Sequence, residues 1–311
     1  MQNPLVDAII VTFRSSATVR AAVDSLLVSE AVASVTIVDN ASSDALPAFD
    51  DSRVAVVSNP TNVGFARAVN TGLRYATSPY TLLLNPDAEI SDESLGRLIH
   101  ELECDEQIAM VGPLLMTPTG SVALGARRFS KLWNRTAPFW PLLNRKSLHF
   151  DAEYGNSLPM IRSNKAVPVD YLWGACLLAR RSFLESLGGL DERFFLYSED
   201  EDLGRQARRC GYKTLLVTSA RAVHIGSVSS GGRTPLVRAR QIYANRQLLE
   251  KWEGAEKAKL FAVGVKLGLY LYLGLYLTLV AAGVRGRKAR AEEIQHVLYL
   301  LHGMAKRGSA V

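Results

Sequence analysis

YTLLLNPDAEIS, residues Tyr80–Ser91, is the stretch on which the fold turns. Leu82, Leu83 and Leu84 make a short apolar run with the length of a buried strand, and the chain then leaves the core on Asn85, Pro86 and Asp87. Asn-Pro-Asp is ordinary turn chemistry, because proline fixes φ and Asp caps the backbone just after it. The same residues also hold a carboxylate stiffly just beyond the end of a strand. The flanking sequence decides between the two readings.

Working outward, the first 115 residues alternate between strand and helix patterns. Val6–Phe13 reads as a strand, and Ala17–Leu27 has helical apolar spacing behind Ser15 and Ser16, either of which is a candidate cap. Val35–Val38 and Val54–Val57 read as strands, Phe65–Tyr75 as a helix, and Tyr80–Leu84 as a strand. A helix from about Asp92 to Leu102 and a strand at Ile108–Leu114 follow. Strands alternating with helices predict an α/β fold with a mostly parallel sheet covered on both faces. In such sheets ligands sit beyond the carboxyl ends of the strands. Asp39, Asp87 and the Thr12–Arg14 turn all fall at predicted carboxyl ends, so three polar loops share one rim.

Residues 117–168 break the pattern with five prolines, the basic pair Arg127–Arg128 and five aromatics from Phe129 to Phe150. They read as an irregular excursion on the acceptor side rather than a second domain. Regular structure resumes at Val169–Ala179, predicted as one strand, then a short helix. A helix over Glu201–Cys210 ends at Gly211, and Lys213–Val217 is a further strand.

The chain has 311 residues, 48% of them hydrophobic, enough for one large domain or two smaller ones. Its three cysteines, Cys104, Cys176 and Cys210, form neither a CxxC pair nor a zinc spacing, which points to reduced thiols in a cytosolic compartment. The N-terminal apolar run reads as a strand, not a signal peptide. A net charge of +6 suits an anionic partner. The basic segments lack interleaved aromatics, and RGRKAR (285–290) follows the most apolar stretch of the chain, so a membrane surface is favoured and nucleic acid is not.

Four features bear on phosphate-linked chemistry. Asp39, in IVDNASSD, is an acceptor placed for a ribose or base edge, or a plain turn residue. Asn85 and Asp87 offer oxygens to a hard divalent cation, Mg²⁺ or Mn²⁺, which needs few protein carboxylates when substrate phosphates supply the rest. The acids of SEDED (Ser198–Asp202) stand before a helix. Macrodipole complementarity accounts for Glu201 and Asp202, and less well for Glu199 and Asp200 after the aromatic run Phe194–Tyr197. His224 ends an apolar stretch and precedes a Gly/Ser loop.

Taken in order, VTF, VDNASSD, NVGFARAVNTGL, LLLNPDAEI, WGACLLARRSF, the SEDEDLGRQARRCGYK segment and HIGSVS resemble the inverting glycosyltransferases of family 2, and within it the bacterial rhamnosyltransferase-type members. The resemblance implies a GT-A fold over about residues 1–234. It implies donor contacts from Thr12, Phe13, Arg14, Asp39, Asn62, Gly64, Asn85, Asp87 and Arg233, and an acceptor side at Trp173 and Gly174. Asp87 and His224 would ligate the cation, and Asp200, with Glu199 beside it, would be the catalytic base. Asn85 departs from a strict DxD, so direct metal binding at residue 85 does not follow. The implied reaction moves a sugar, with L-rhamnose from dTDP-L-rhamnose favoured, to a polyprenyl-diphosphate-linked saccharide in cell-wall or surface-polysaccharide synthesis. Two other readings compete with it. A nucleotidyltransferase would carry a glycine-rich basic loop after the first strand, where this chain has TFRSSATVRAA. A non-catalytic sugar-nucleotide-binding subunit would not need both the acidic cluster and His224.

Residues 235–311 form a helical, membrane-associating region in this reading. LGLYLYLGLYLTLVAAGV, Leu267–Val284, is eighteen residues without a formal charge, just short of the ~20 of a spanning helix. Lys259 and Lys266 precede it, and Arg285, Arg287, Lys288 and Arg290 follow. A single span would put one basic cluster outside. Ala291–Lys306 is amphipathic, and the pair is expected to dip into the inner leaflet at the cytoplasmic face of a bacterial plasma membrane. A buried helix of a soluble fold, or a contact in a homo-oligomer, is the alternative, since Tyr270, Tyr272 and Tyr276 also suit a protein core.

Overall fold

The computed structural model describes residues 4–123, 125–141, 164–226 and 234–307. It divides into two compact units. One holds residues 1–127, 156–192 and 199–229, and the other 128–155, 193–198 and 230–311.

The first unit is a mixed α/β layer structure. Strands β1 (Val6–Thr12), β2 (Val32–Asp39), β3 (Val54–Ser58) and β4 (Tyr80–Leu84) run parallel in the order β3-β2-β1-β4. Every residue of β1 and β4 is buried, as strands covered on both faces must be. A short strand, β5 (Ala88–Ile90), follows the Asn-Pro-Asp turn. Beyond β4 come β10 (Cys176–Arg180), β6 (Ile108–Met116), β11 (Lys213–His224) and β5. Of these, β10 is antiparallel to both neighbours, which leaves β6 and β11 aligned with β1–β4. Edge strand β8 (Ala166–Pro168) pairs with β11, while β7 (Ala126–Arg127) and β9 (Tyr171–Leu172) form a separate two-stranded sheet. Helices α1 (Ser16–Leu27), α2 (Phe65–Leu73), α3 (Asp92–Cys104), α5 (Arg181–Ser186) and α6 (Glu199–Arg209) flank the sheet. One apolar cluster, including Ile10, Val23, Leu82, Leu98, Val111 and Leu178, is continuous from α1 through the sheet to α3.

Several boundaries differ from the sequence reading, each for a local reason. Neither serine caps α1: Ser15 Oγ donates to Phe13 O, and the carboxylate of Asp44 accepts from Ser16 N at 2.8 Å. Val169–Ala179 is not one strand. It breaks at Trp173–Ala175, because β9 pairs with β7 while β10 pairs with β4, and Asn85 N takes the Ala175 carbonyl at 2.9 Å. Helix α6 starts at Glu199, so the acids occupy its first turn instead of preceding it; Tyr197 and Ser198 just before are left-handed, with φ of 72° and 68°. Strand β11 continues past Val217 to His224 because its far half pairs with β6 on one side and β5 on the other. The 117–168 excursion contains β7, β8, α4 (Leu132–Thr136) and a 3₁₀ turn at Ala137–Phe139, while residues 142–163 lie outside the described chain.

The second unit is helical. Helices α7 (Pro235–Glu253), α8 (Ala255–Ala281) and α9 (Arg287–Arg307) enclose Ile242, Leu249, Phe261, Val265, Leu269, Ile294 and Val297, with Leu132 and Phe139 packed alongside. Thr234 caps α7, its hydroxyl accepting from Val237 N. The apolar stretch from Leu267 therefore lies inside a longer helix with one face in a protein core. Its opposite face exposes Leu260, Val263, Leu267, Tyr270, Leu271 and Leu277.

Helix α6 lies close against β9 because Gly204 has no side chain: a Cβ there would come within 2.6 Å of the Asp170 carbonyl oxygen. Backbone cannot give way as a flexible side chain can. Gly204→Ala is expected to destabilise the protein by ~1–3 kcal/mol, read as a lower midpoint in urea at unchanged slope; an unchanged midpoint would show that α6 has room to shift.

Candidate active site

The sheet gathers the polar loops at one rim. Asp87 and His224 are 137 positions apart, yet the antiparallel pairing of β5 with β11 sets His224 opposite Ala88. His224 Nε2 then lies 3.3 Å from Asp87 Oδ1 and 3.3 Å from Asn85 Nδ2. Asp87 is 6% exposed. Its carboxylate is fixed from behind, with Gly226 N donating to Oδ2 at 3.1 Å and Ile225 N donating to the main-chain oxygen at 3.0 Å. The donor set suits a hard divalent cation. Cis ligands around an octahedral ion at 2.0–2.1 Å stand about 3 Å apart, close to the Asp87–His224 spacing, and an amide turn at Asn85 would bring a third oxygen to the same point. Among the described residues no group of three His, Cys, Asp or Glu side chains is placed to hold a metal ion, so an ion at Asp87 and His224 would take its remaining ligands from elsewhere.

The loop after β2 and the loop entering α2 are built around one residue that the sequence reading passes over. Asn40, 3% exposed, donates to Asn62 Oδ1 at 2.9 Å and to the Gly64 carbonyl, and its own oxygen accepts from Val63 N and Asn59 Nδ2. Asn62 Oδ1 also takes Gly64 N at 3.0 Å, so Asn62 and Gly64 shape the loop entering α2. An asparagine directly after a strand-end carboxylate is the signal that could have found it. Asp39 Oδ1 accepts from Ser42 N at 3.2 Å and from the Thr12 hydroxyl at 3.4 Å. Thr12 is fully buried, Arg14 stacks on Phe13, and Arg14 and Ala41 are both left-handed without being glycine. Strained backbone of this kind costs ~1–3 kcal/mol per residue and persists where surrounding structure enforces it.

The four acids at the start of α6 divide into distinct roles. Glu201 is buried and accepts Arg205 Nε and Nη2 at 3.0 and 2.9 Å, an internal ion pair. Asp202 is buried as well. Asp200 is half-buried and its Oδ1 accepts from Glu201 N at 2.8 Å. Burial, reinforced by the Glu201 charge and opposed by that backbone bond and by Arg127, lifts its carboxyl to about 6. Glu199 is lifted further, to about 8, by burial and then by the Asp200 charge, and its Oε2 is buried without a hydrogen-bond partner among the described residues. Burial thus favours the neutral form of both carboxyls, more strongly at Glu199 than at Asp200. Arg127 in turn lies 4.9 Å over the ring of Trp173, which places Trp173 on the side of the cation that tempers Asp200. From the sequence, Arg127 is visible only as half of a basic pair. Gly174 follows in the turn between β9 and β10, next to the strand carrying Leu84. Arg233 lies outside the described residues.

The profile of glycosyl transferase family 2 matches residues 7–188. An N-acetylglucosaminyl-diphospho-decaprenol L-rhamnosyltransferase of Mycobacterium tuberculosis is 31% identical over 224 residues, 66% of this chain and 70% of the relative. A low-salt glycan biosynthesis hexosyltransferase of Haloferax volcanii is 26% identical over 57% of this chain and 54% of its own. Two solved structures share the fold. The Pyrobaculum calidifontis mannosyltransferase in complex with GDP-Man and Mn²⁺ superposes with a TM-score of 0.53 at 14% identity, covering 96% of this chain and 86% of that one. GalNAc-T7 with UDP, GalNAc and Mn²⁺ gives 0.55 at 17% identity over 71% of this chain; the match spans only 43% of the GalNAc-T7 chain.

The raised carboxyls set a sign for pH dependence. In the unfolded chain these groups titrate near 4. Between about pH 4 and the folded value near 8 the native state holds a Glu199 proton that the unfolded state has released, so stability falls as pH rises through that window. Glu199→Gln removes the titration, and its melting temperature is expected to gain on the parent from pH 5 to pH 8, with the gap closing towards pH 4. A gap independent of pH in circular-dichroism melts would mean that Glu199 ionises normally.

Proposed function

The chain belongs to glycosyltransferase family 2, and we propose that it is a metal-dependent, inverting member that transfers L-rhamnose from dTDP-L-rhamnose to a hydroxyl of a polyprenyl-diphosphate-linked saccharide, in cell-wall or surface-polysaccharide synthesis. The observation that carries the reading is the meeting of Asp87, His224 and Asn85 at the strand rim that also holds Asp39. The Mycobacterium tuberculosis relative, by its name, acts with a rhamnosyl group on a lipid-linked acceptor, which supports both the sugar and the acceptor class.

In this reading Asp39, with Thr12, Phe13 and Arg14, meets the nucleoside, and Asn62, Gly64 and Arg233 complete the donor side. Asp87 and His224, with Asn85 beside them, would hold Mg²⁺ or Mn²⁺, whose charge would offset that of the departing nucleoside diphosphate. Asp200, ionised at neutral pH, takes the proton of the acceptor hydroxyl as that oxygen bonds to the anomeric carbon and the carbon–phosphate-oxygen bond breaks. Glu199 retains its proton and so adds no second negative charge beside the base. A single base with no protein nucleophile inverts the anomeric centre, giving an α-rhamnoside from a β-linked donor. Trp173 and Gly174 border the acceptor.

The catalytic role falls to residues 1–234 and membrane attachment to 235–311. Helix α8 is long and apolar enough to cross a bilayer. Its protein-facing side argues against crossing. Phe261, Val265 and Leu269 are buried among α7 and α9, both of which carry charged residues such as Arg238 and Glu293, paired at 3.6 Å. Sinking α8 upright would drag those charges into hydrocarbon, at several kcal/mol each. Lying in the plane of the inner leaflet, it buries only its exposed apolar face, with basic residues of both flanks at the headgroups.

Asp87→Ala is expected to abolish Mn²⁺-dependent thermal stabilisation by dTDP-rhamnose without lowering the melting temperature of the free protein; retained stabilisation would remove Asp87 from the metal site. Asp200→Asn is expected to keep donor affinity and lose transfer rate by a factor on the order of 10²–10⁴. If Glu199→Gln is the inactive variant instead, the base is misassigned.

A further inference from the structure

The second unit has a cleft that the transfer reaction does not use. It has a volume of about 340 Å³ and is lined by Arg246 and Glu250 of α7 and by Glu256, Lys259, Val263 and Lys266 of α8. Arg246 is engaged by Glu250 at 3.2 Å. Neither Lys259 nor Lys266 has a carboxylate within ion-pair distance among the described residues, and both are exposed. Glu256 sits in the first turn of α8, where an acid complements the helix dipole. The cleft therefore presents two ammonium groups without a carboxylate within ion-pair distance among the described residues, seven residues apart on one helix and beside Ala262 and Val263; with Arg246 they outnumber the carboxylates of Glu250 and Glu256 by one.

Position gives the cleft a meaning. Val263, 55% exposed, lines it and also begins the apolar stripe that continues through Leu267, Tyr270 and Leu277. Residues 260, 263, 267, 270, 274 and 277 follow a strict three-and-four spacing, so the stripe keeps to one side of the helix. An occupant with an anionic head and an apolar tail would satisfy both surfaces at once: phosphate at Lys259 and Lys266, hydrocarbon along the stripe. A soluble phosphate would leave the stripe uncovered.

We propose that this cleft is a binding site for the headgroup phosphate of an anionic phospholipid, which fixes where α8 rests on the bilayer. The proposal rests on the membrane attachment argued above. It goes beyond it by assigning a saturable, single-lipid site to one end of the helix, where diffuse attraction to surface charge would need none. Lys259 and Lys266 act as point charges that order one headgroup, and Arg246, held by Glu250, closes the rim of the cleft.

The test uses the full chain and a short-chain phosphatidylglycerol kept below its micelle concentration, titrated by calorimetry or by chemical-shift changes. Saturable binding of one lipid per chain is expected, weakened on the order of 30-fold in Lys259→Gln/Lys266→Gln, since each lysine near a phosphate is worth about 1 kcal/mol. Arg285→Gln/Lys288→Gln, with the same change in net charge at the other end of the stripe, should bind the single lipid as the parent does. Short-chain phosphatidylcholine should bind far more weakly, and inorganic phosphate should compete only at much higher concentration. Absence of saturable binding, or equal loss in both double variants, overturns the cleft. Equal competition by inorganic phosphate would overturn the lipid as its occupant. Flotation of the parent protein with neutral vesicles is read separately. Flotation without single-lipid binding leaves the membrane reading standing and removes the cleft, while failure to float on neutral or anionic vesicles removes both.

Discussion

The arrangement of the rim depends on one short antiparallel ladder. Strand β5 has only three residues, yet it is the edge that receives the far half of β11. Strand β6 holds the other side of β11 as far as Val223, but it is the β5 pairing that sets His224 opposite Ala88 and beside Asp87. With it, a carboxylate and an imidazole from distant parts of the chain stand 3.3 Å apart, and the backbone just past β11 holds Asp87, with Gly226 N donating to its carboxylate and Ile225 N to its main-chain oxygen. Pro86 stiffens the turn between β4 and β5, so the ladder and the site share a single corner. Turn chemistry and the reading of Asp87 as a metal ligand are compatible, because the turn is what aims the carboxylate at His224.

Electrostatics then separates residues that composition cannot. Four consecutive acids open α6, and helix-dipole complementarity would favour all of them equally. Pairing with Arg205 removes Glu201 from the chemistry. Burial keeps Glu199 protonated, and the Glu201 backbone N–H together with Arg127 holds Asp200 lower. Two neighbouring carboxyls with their pKa values pushed apart are the arrangement in which one group can accept a proton while the other keeps its own.

Much of this is legible in the residues themselves. The Tyr80–Leu84 strand falls where the leucine run places it, and Asp39 and Asp87 sit at strand ends because apolar runs in parallel sheets stop where the chain meets solvent. Family membership is readable from the order of the motifs. The features that escape depend on partners far away in sequence. Nothing in the residues Ala88–Ile90 says strand until β11 pairs with them. The capping role of Asp44, the hub at Asn40, and the approach of Arg127 to the acidic cluster come from chain segments that local periodicity does not connect. Apolar spacing in α8 is visible, but it marks two faces, and only the structure tells the one packed on α7 and α9 from the one left bare.

That bare face has a consequence for how the protein behaves outside a cell. Folding leaves α8 with one side solvated by protein and the other by whatever medium surrounds it, and water is the least favourable of these. Stoichiometry in plain buffer is then a property of the medium as much as of the chain, because molecules that shield their stripes against one another exchange that contact for detergent or lipid whenever either is present. A hydrodynamic mass taken in buffer is therefore to be set beside one taken in detergent before it is read as a quaternary number.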